Sequence, residues 1–417
     1  MLNKENFKSY IFTGNKVLCS GCGACVQVCQ HGALEMSSDS EGFMFPYINS
    51  EKCVNCGLCD RICPIVGTNT ENQGEEQHCY IATTNEEKFY EESASIGICT
   101  MLSNYIVNHG GIVFGAFLDE SNWTAYHISV TDEKDVWKIR NSKYLQSSTR
   151  RTFVQVKRKL NQGVKVLYIG TPCQIAGLKS FLRKPYSNLY CIDLICHGVF
   201  SPKLMPLEVD YWEKQLKGKI INFRFRSKRV YKYVNGGMVN FDLIKDGKTS
   251  HIERFAASSP SYRCYAYSDD GKNYNHRLSC YSCPFRNQKR YGDITIGDPW
   301  FISNDDIDNK KLKISNSVRS LYIVNTTKGD DLISKIKNLI TEEEIPFSKA
   351  FVQPALQKTK KEIPAEREKL YSLVNNQDYG ALVEELLGCN LKESHIIFDK
   401  NYRNIKMKRI FKKLIFR

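Results

Sequence analysis

Short apolar runs broken by glycine and polar clusters dominate the pattern of this chain. The stretch IVNHGGIVFGAFL reads as a helix end, a Gly-Gly turn and a buried strand. Phe153 to Leu160 has helical spacing and is stopped at Gly163, and VKVLYIG is a buried strand ending in Gly170. A helix over about Gln174 to Leu182 follows, then LYCIDLIC, a second buried strand ending at Cys196. Strand, helix and strand at that pitch predict a right-handed βαβ unit in a parallel or mixed sheet. INFRFRSK and VNFDLIKDGKTSHIERF alternate as a hairpin does. DITIGD is a short strand running into a loop, SLYIVNT is one more strand, and the remainder reads as helical down to a basic tail.

Composition narrows the class. The chain has 417 residues, 42% apolar and 25% charged, with 12 prolines. That suits two or three domains with sizeable cores and excludes a collagen or a wholly disordered chain. No run approaches 18 apolar residues, so no membrane-spanning helix is predicted. The start, MLNKENFKSY, lacks the apolar region of a signal peptide, which predicts a cytoplasmic protein.

The net charge of +14 is uneven, because Asn401 to Arg417 holds seven basic residues and no acid. The other 400 residues carry only +7, too little to predict nucleic-acid binding. In the tail, Met407, Ile410, Phe411 and Leu414 recur on one helical face, flanked by Lys406, Lys408, Arg409, Lys412 and Lys413. This reads as a helix lying on an anionic membrane surface, peripheral to its inner face, against a helix packed on the body or a frayed terminus.

Seventeen cysteines in a chain of this kind point to metal or redox chemistry rather than disulfides. Cys19-x2-Cys22-x2-Cys25-x3-Cys29 is repeated 34 residues on as Cys53-x2-Cys56-x2-Cys59-x3-Cys63-Pro64. Three cysteines two apart wrap three irons of one cube, and the fourth thiolate must come from elsewhere. In two-cluster 4Fe–4S units the fourth cysteine of each run serves the other cluster. The expected sets are therefore Cys19, Cys22, Cys25 with Cys63, and Cys53, Cys56, Cys59 with Cys29. Gly23 and Gly57 would let backbone N–H groups approach the sulfides. A pair of structural zinc sites is the bland alternative, but those show two cysteine pairs across a longer loop. Gln30 stands where the pattern has proline.

A second constellation is dispersed. Cys173 sits on a strand-to-helix turn, Cys196-His197-Gly198 ends the next strand, and Cys280-x2-Cys283-Pro284 precedes DITIGD. Convergence at one sheet edge would make a third cluster or a zinc site; unrelated buried thiols are the other reading.

At these residues the chain resembles the family of coenzyme F-420 hydrogenase and dehydrogenase beta subunits. The matching stretches are SASIG (93–97), NHGGIVFGAF (108–117), SKYLQS (142–147), GVKVLYIGTPCQIAGLKSFL (163–182), LYCIDLICHGVFSPKL (189–204) and LSCYSCPFRNQKRYGDITIGDPW (278–300), with a weaker match around Arg367. The resemblance implies an oxidoreductase of anaerobes that binds FAD beside a 4Fe–4S cluster. Related proteins reduce chlorophyll precursors or stand in bacterial surface-polysaccharide clusters. Carried over by residue, it implies Cys173, Cys196, Cys280 and Cys283 as ligands of the third cluster, with Cys264 as a rival. Cys79, Cys99, Cys191 and Cys389 read as ordinary small residues.

For the flavin, the resemblance implies contacts from Ser93, Ser95 and Gly97, whose small side chains admit backbone N–H groups to phosphate. Lys143, Tyr144, Gln146 and Ser147 would add a charge, a stacking ring and hydrogen bonds, and Thr171 and Gln174 would face the ring system. Ile96 stands where the family has glycine. His197 is the weak candidate for a catalytic proton relay, while Asp293 and Asp298 read as holding the turn around the Cys-x2-Cys loop. No G-x-G-x-x-G follows a strand, so no Rossmann nucleotide site is predicted.

The expected architecture is α+β or α/β. A ferredoxin-like domain (1–66) and a polar linker (67–79) precede the mixed-sheet flavin and iron–sulfur body, divided into 80–155 and 156–330, and a helical extension with the basic tail (331–417). The expected function is transfer of electrons between the clusters and a flavin that acts on an organic substrate or a deazaflavin carrier. A ferredoxin or similar redox protein is the expected partner. The alternative is a non-catalytic iron–sulfur subunit or redox sensor docking to another protein.

Overall fold

The structure, a computed structural model, describes residues 8–66, 72, 75–226, 238–255, 259–262, 264–265, 273–310, 312, 319–358 and 361–387. The basic tail and Cys389 lie outside them. The front unit holds a hairpin of β1 (Leu34–Ser38) and β2 (Met44–Ile48), with short helices α1 (Ala24–Val28) and α2 (Leu58–Arg61). The helices start at Gly23 and Gly57, with φ of 76° and 69°. Both glycines hold the left-handed conformation at equivalent places, so the sequence repeat is also a repeat of backbone geometry.

The body strands are β3 (His78–Thr84), β4 (Ile112–Asp119), β5 (Thr124–Val130), β6 (Ser147–Ser148), β7 (Val166–Gly170), β8 (Leu189–Leu194), β9 (Lys219–Arg224), β10 (Met238–Lys245), β11 (Lys248–Phe255), β12 (Ile294–Gly297), β13 (Ser320–Val324) and β14 (Ile340–Ile345). Nine form one mixed sheet in the order β14-β3-β13-β12-β8-β7-β4-β5-β6, and β11-β10-β9 form a separate antiparallel sheet. In the large sheet β4, β7, β8 and β12 run parallel, and β5 and β13 flank them antiparallel. The loops that leave β7, β8 and β12 therefore open at one edge, where parallel sheets bind ligands.

Helix α3 (Ile98–Asn108) packs one face of that sheet, while α4 (Thr152–Asn161) and α5 (Pro172–Leu182) pack the other. On α4, Phe153, Val156 and Leu160 recur at helical spacing, and all three are buried against Phe114, Val166 and Tyr168 of the sheet. Burying side chains of this size gives about 1.5–3 kcal/mol each.

Strands β3, β5 and β14 escape the sequence reading. ITEEEI is polar because β14 is an edge strand buried only at Ile340 and Ile345. The C-terminal segment then continues as helices, including Glu366–Asn375 and Tyr379–Leu387.

The polar stretch 67–79 is pinned where it is described. Asn72 donates from its side chain to the Gly292 carbonyl at 2.6 Å, Lys179 donates to Asn72, and His78 and Cys79 already belong to β3. The front unit is docked too. Thr149 donates to the Cys22 carbonyl at 2.8 Å, and the Phe153 N–H donates to Gln27 at 2.8 Å. The Met44 N–H donates to Gln146 at 2.9 Å. Arg367, 4% exposed, pairs with Glu41 in the β1–β2 turn. Through these contacts the front unit and the body touch directly.

Candidate functional site

Two groups of thiols form around the docked front unit. In the first, burial pushes the Cys22 thiol up to about 12, and the nearby Cys63 and Cys19 push the same way. Burial raises Cys25 well above its ordinary value, with Cys22, Cys19, Cys63 and Cys59 adding to it. Cys63 is pushed up to about 11 by burial, with Cys19 among the lesser causes. Cys19, Cys22, Cys25 and Cys63 thus crowd one another, and with Cys59 they line a cavity of about 30 Å³. Thiols raised in this way are held neutral, and a cation among them would bring out the thiolates.

Cys59 leads to the other side. Burial pushes it up to about 11, and Cys56 adds to the rise. Cys29 and Cys53 are partly buried, while Cys56 is exposed.

The second group forms at the sheet edge. Burial raises Cys173 well above its ordinary value, and Cys283, Cys196 and Cys280 add to it. Cys196 and Cys283, pushed by burial up to about 11 and about 12, both lie close to Cys280. The four cysteines come from the first turn of α5, the loop after β8, and the short helix Leu278–Tyr281 with the loop that follows it. Cys264 is not among them; it is buried in an apolar cluster with Phe43 and Leu204. Cys79 and Cys191 are core residues. Among the described residues no three of His, Cys, Asp and Glu converge on a single-ion site.

A cavity of about 700 Å³ adjoins both groups. Its wall includes Cys173, Cys196, Cys280 and Cys283, and also Ser20, Gly21 and Ile65, which flank the front cysteines. Ser93, Ser95, Gly97, Lys143, Tyr144, Gln146, Ser147, Thr171, Gln174 and His197 all line it. Gly97 caps the start of α3 with φ 89°, so the first turn of an eleven-residue helix presents its N–H groups there. Ile96 is fully buried, pointing into the core beside Met101 and Leu102, so its bulk stays out of the cavity.

Several predicted contacts also have structural partners. Thr171 and Gln174 form the capping box that starts α5, and Gln174 donates to the Ser147 carbonyl at 3.0 Å. The hydroxyls of Ser95 and Ser320 are 2.6 Å apart. Tyr144 packs edge-on against Tyr262 and Phe225. Lys143 donates to the Arg140 carbonyl at 2.5 Å, and burial, then the Arg140 cation, push its ammonium down to about 7. His197 is exposed on the cavity wall; its enclosure, then Arg286 and Lys361, push its imidazole down to about 4. Asp293 accepts from the Cys191 N–H at 2.7 Å and from Thr326, and Asp298 pairs with buried Arg226 at 2.7 Å.

Sequence reasoning found Lys143 but missed the rest of the basic lining. Arg140, Arg226, Arg286 and Lys361 join it on the cavity wall against one carboxylate, Asp298, among the described residues. It also missed His127, buried at 3% exposure, which bonds Ser147 and the Ile169 carbonyl. Isolated Arg, Lys and His residues carry no spacing signal; only the fold collects them.

Residues 18–66 match the family described as 4Fe-4S dicluster domain, and residues 163–347 match the C terminus of the coenzyme F420 hydrogenase/dehydrogenase beta subunit. One component of the F(420)H(2) dehydrogenase of Methanosarcina mazei is 22% identical over 273 residues, which is 60% of this chain and 72% of that protein. The Coenzyme F420-dependent sulfite reductase of Methanocaldococcus jannaschii is 25% identical over 251 residues, 54% of this chain and only 38% of that protein. A chain of the F420-reducing [NiFe] hydrogenase complex from Methanosarcina barkeri aligns at 17% identity and a TM-score of 0.41, covering 74% of this chain and 91% of that one. The chain thus carries, in order, a stretch that matches the 4Fe-4S dicluster domain and a stretch that matches the C terminus of the coenzyme F420 hydrogenase/dehydrogenase beta subunit.

Proposed function

We propose that this chain is an iron–sulfur flavoprotein oxidoreductase, passing electrons between its front clusters and a flavin in the large cavity. Cys19, Cys22, Cys25 and Cys63 hold an inner cluster, and Cys29, Cys53, Cys56 and Cys59 an outer one. Cys173, Cys196, Cys280 and Cys283 hold a third cluster beside the flavin. The observation that carries this reading is one cavity walled by the third cysteine set, by the loops flanking the inner set, and by the start of α3.

The residues suit these groups. The cavity volume of about 700 Å³ lies within the usual range for organic ligands. The start of α3 supplies N–H groups for a pyrophosphate. Five cations against one carboxylate balance a ligand carrying phosphates beside thiolates. Bound there, a flavin would exchange electron pairs with an organic molecule and single electrons with the clusters. The residues themselves bind, orient and enclose. Gln174 and Thr171 fix the turn that carries Cys173, and His127 fixes the β6 residue Ser147 at the wall.

The exposed side of the front unit, at Cys56, faces solvent and is where a ferredoxin or other redox protein would dock. The relatives' names, a dehydrogenase component and a sulfite reductase tied to F420, support a deazaflavin as the alternative carrier to an organic substrate. Among the described residues no helix is long and apolar enough to cross a membrane.

Lys143 gives this reading a pH signature. Its folded value of about 7 lies below the unfolded value of 10.5. Between the two, the unfolded state binds more protons, so this group makes stability rise with pH across that window. A phosphate in the cavity would restore its charge, so FAD affinity should fall as pH rises above about 7, by at most tenfold per pH unit. FAD titrations across this range should show the slope in the wild type and lose it in Lys143→Met. A slope that persists in the variant would place the phosphate elsewhere.

The function itself is tested by supplying electrons to the anaerobically reconstituted protein from a reduced ferredoxin. Bound FAD should be reduced, and Cys56→Ala, which removes the outer cluster, should slow that reduction at least tenfold. Clusters that are reduced while the bound flavin stays oxidised would refute the proposal.

A further inference from the structure

Arg277 is an unusual buried cation. It is completely buried, and among the described residues it pairs with no carboxylate. Its Nη2 donates to the Cys19 sulfur at 3.4 Å and its Nε to the Cys19 carbonyl at 2.8 Å. Its Nη1 donates to the side-chain oxygen of Gln146 at 3.2 Å, and its guanidinium lies 4.0 Å from the Phe45 ring centre. A guanidinium sealed from water with only neutral oxygens as other partners needs an anion. The Cys19 sulfur is the group placed to supply it.

The backbone of the same residue belongs to the other cysteine set. The Arg277 carbonyl accepts from the Cys280 N–H at 2.8 Å, and its N–H donates to the Val199 carbonyl at 3.0 Å. One residue therefore holds a sulfur of the inner set with its side chain and the turn carrying Cys280 with its main chain. Neither arginine nor lysine donates to Cys29, Cys53, Cys56 or Cys59 among the described residues.

We propose that Arg277 is a positioning residue that raises the reduction potential of the inner cluster above that of the outer one. This rests on the assignment of Cys19, Cys22, Cys25 and Cys63 to one cluster. Reduction adds one negative charge to a cluster, and a fixed cation on a ligand sulfur stabilises that added charge. An electron arriving at the exposed outer cluster is then drawn inward, toward the end of the front unit that borders the cavity.

The test is a potentiometric titration followed by electron paramagnetic resonance on the full chain, purified without oxygen, with its iron counted. The inner signal is the one lost in Cys22→Ala. In Arg277→Gln the reduced-to-oxidised ratio of the inner cluster at a given potential should fall about tenfold, equivalent to about 59 mV for a one-electron couple. The outer cluster should not move, and Arg277→Lys should recover part of the loss. A second measurement needs no variant: with ¹⁵N-labelled arginine, the reduced inner cluster of the wild type should show a nitrogen coupling in pulsed spectra. An unmoved inner potential in iron-replete Arg277→Gln, or no such coupling in the wild type, overturns the proposal. Wild-type protein with too little iron for two cubes overturns instead the ligand assignment beneath it.

Discussion

Cys283→Ala is expected to remove about four irons per chain from anaerobically purified protein while the front unit keeps its eight. A cubane with three thiolates is labile, and no further described cysteine is among those that crowd this set. Cys264 is enclosed by Phe43, Leu204 and Tyr371 in a separate apolar cluster, and Cys191 lies in the core under α5. Flavin content should fall as well, because Cys283, Pro284 and Phe285 form part of the cavity wall. The front unit should be spared, since its cysteines crowd only one another. Iron and flavin contents matching the wild type would show that the four body cysteines hold no cluster.

Gly177→Val is expected to break electron transfer with every cysteine intact. Gly177 sits on α5, four residues or about one turn after Cys173, a rise of about 6 Å. A Cβ built there would lie 2.8 Å from the Cys22 sulfur and 2.9 Å from the Cys22 Cβ. Glycine inside a helix ordinarily costs about 1 kcal/mol against alanine, so its use here reflects the close approach. The valine side chain must push the inner loop off the helix, at a cost of about 1–3 kcal/mol typical of overpacking. Electron tunnelling is steep in distance, so flavin reduction by ferredoxin should slow at least tenfold while iron stays near the wild-type level. Wild-type transfer rates in this variant would show that electrons do not pass through this contact.

The local elements were legible in the sequence where burial forces a pattern. LYCIDLIC is apolar because β8 lies inside the sheet, and Phe153 to Leu160 repeats at helical spacing because one face is buried. ITEEEI is a strand without a strand's composition, since an edge position asks only Ile340 and Ile345 to be buried. The eight front cysteines declare themselves through local spacing. The four body cysteines left three readings open until the resemblance joined them as one set, because their convergence depends on sheet order β12-β8-β7. Arg277 was invisible: it acts across 258 positions on Cys19, and nothing in NHRLSC marks it. The polar run before β3 carries no sign of the docking. Its composition describes a solvated surface, but not the buried contacts of Gln27, Thr149 and Glu41 that fix the front unit in place.

If one cavity joins a flavin to three clusters in a single chain, the iron, sulfide and flavin content of the protein purified without oxygen measures it most directly. About twelve irons and one flavin per chain, with flavin lost together with four irons in Cys283→Ala, is the result predicted. Eight irons and no flavin, even after anaerobic incubation with FAD, would contradict it and leave an iron–sulfur subunit that serves another protein's chemistry.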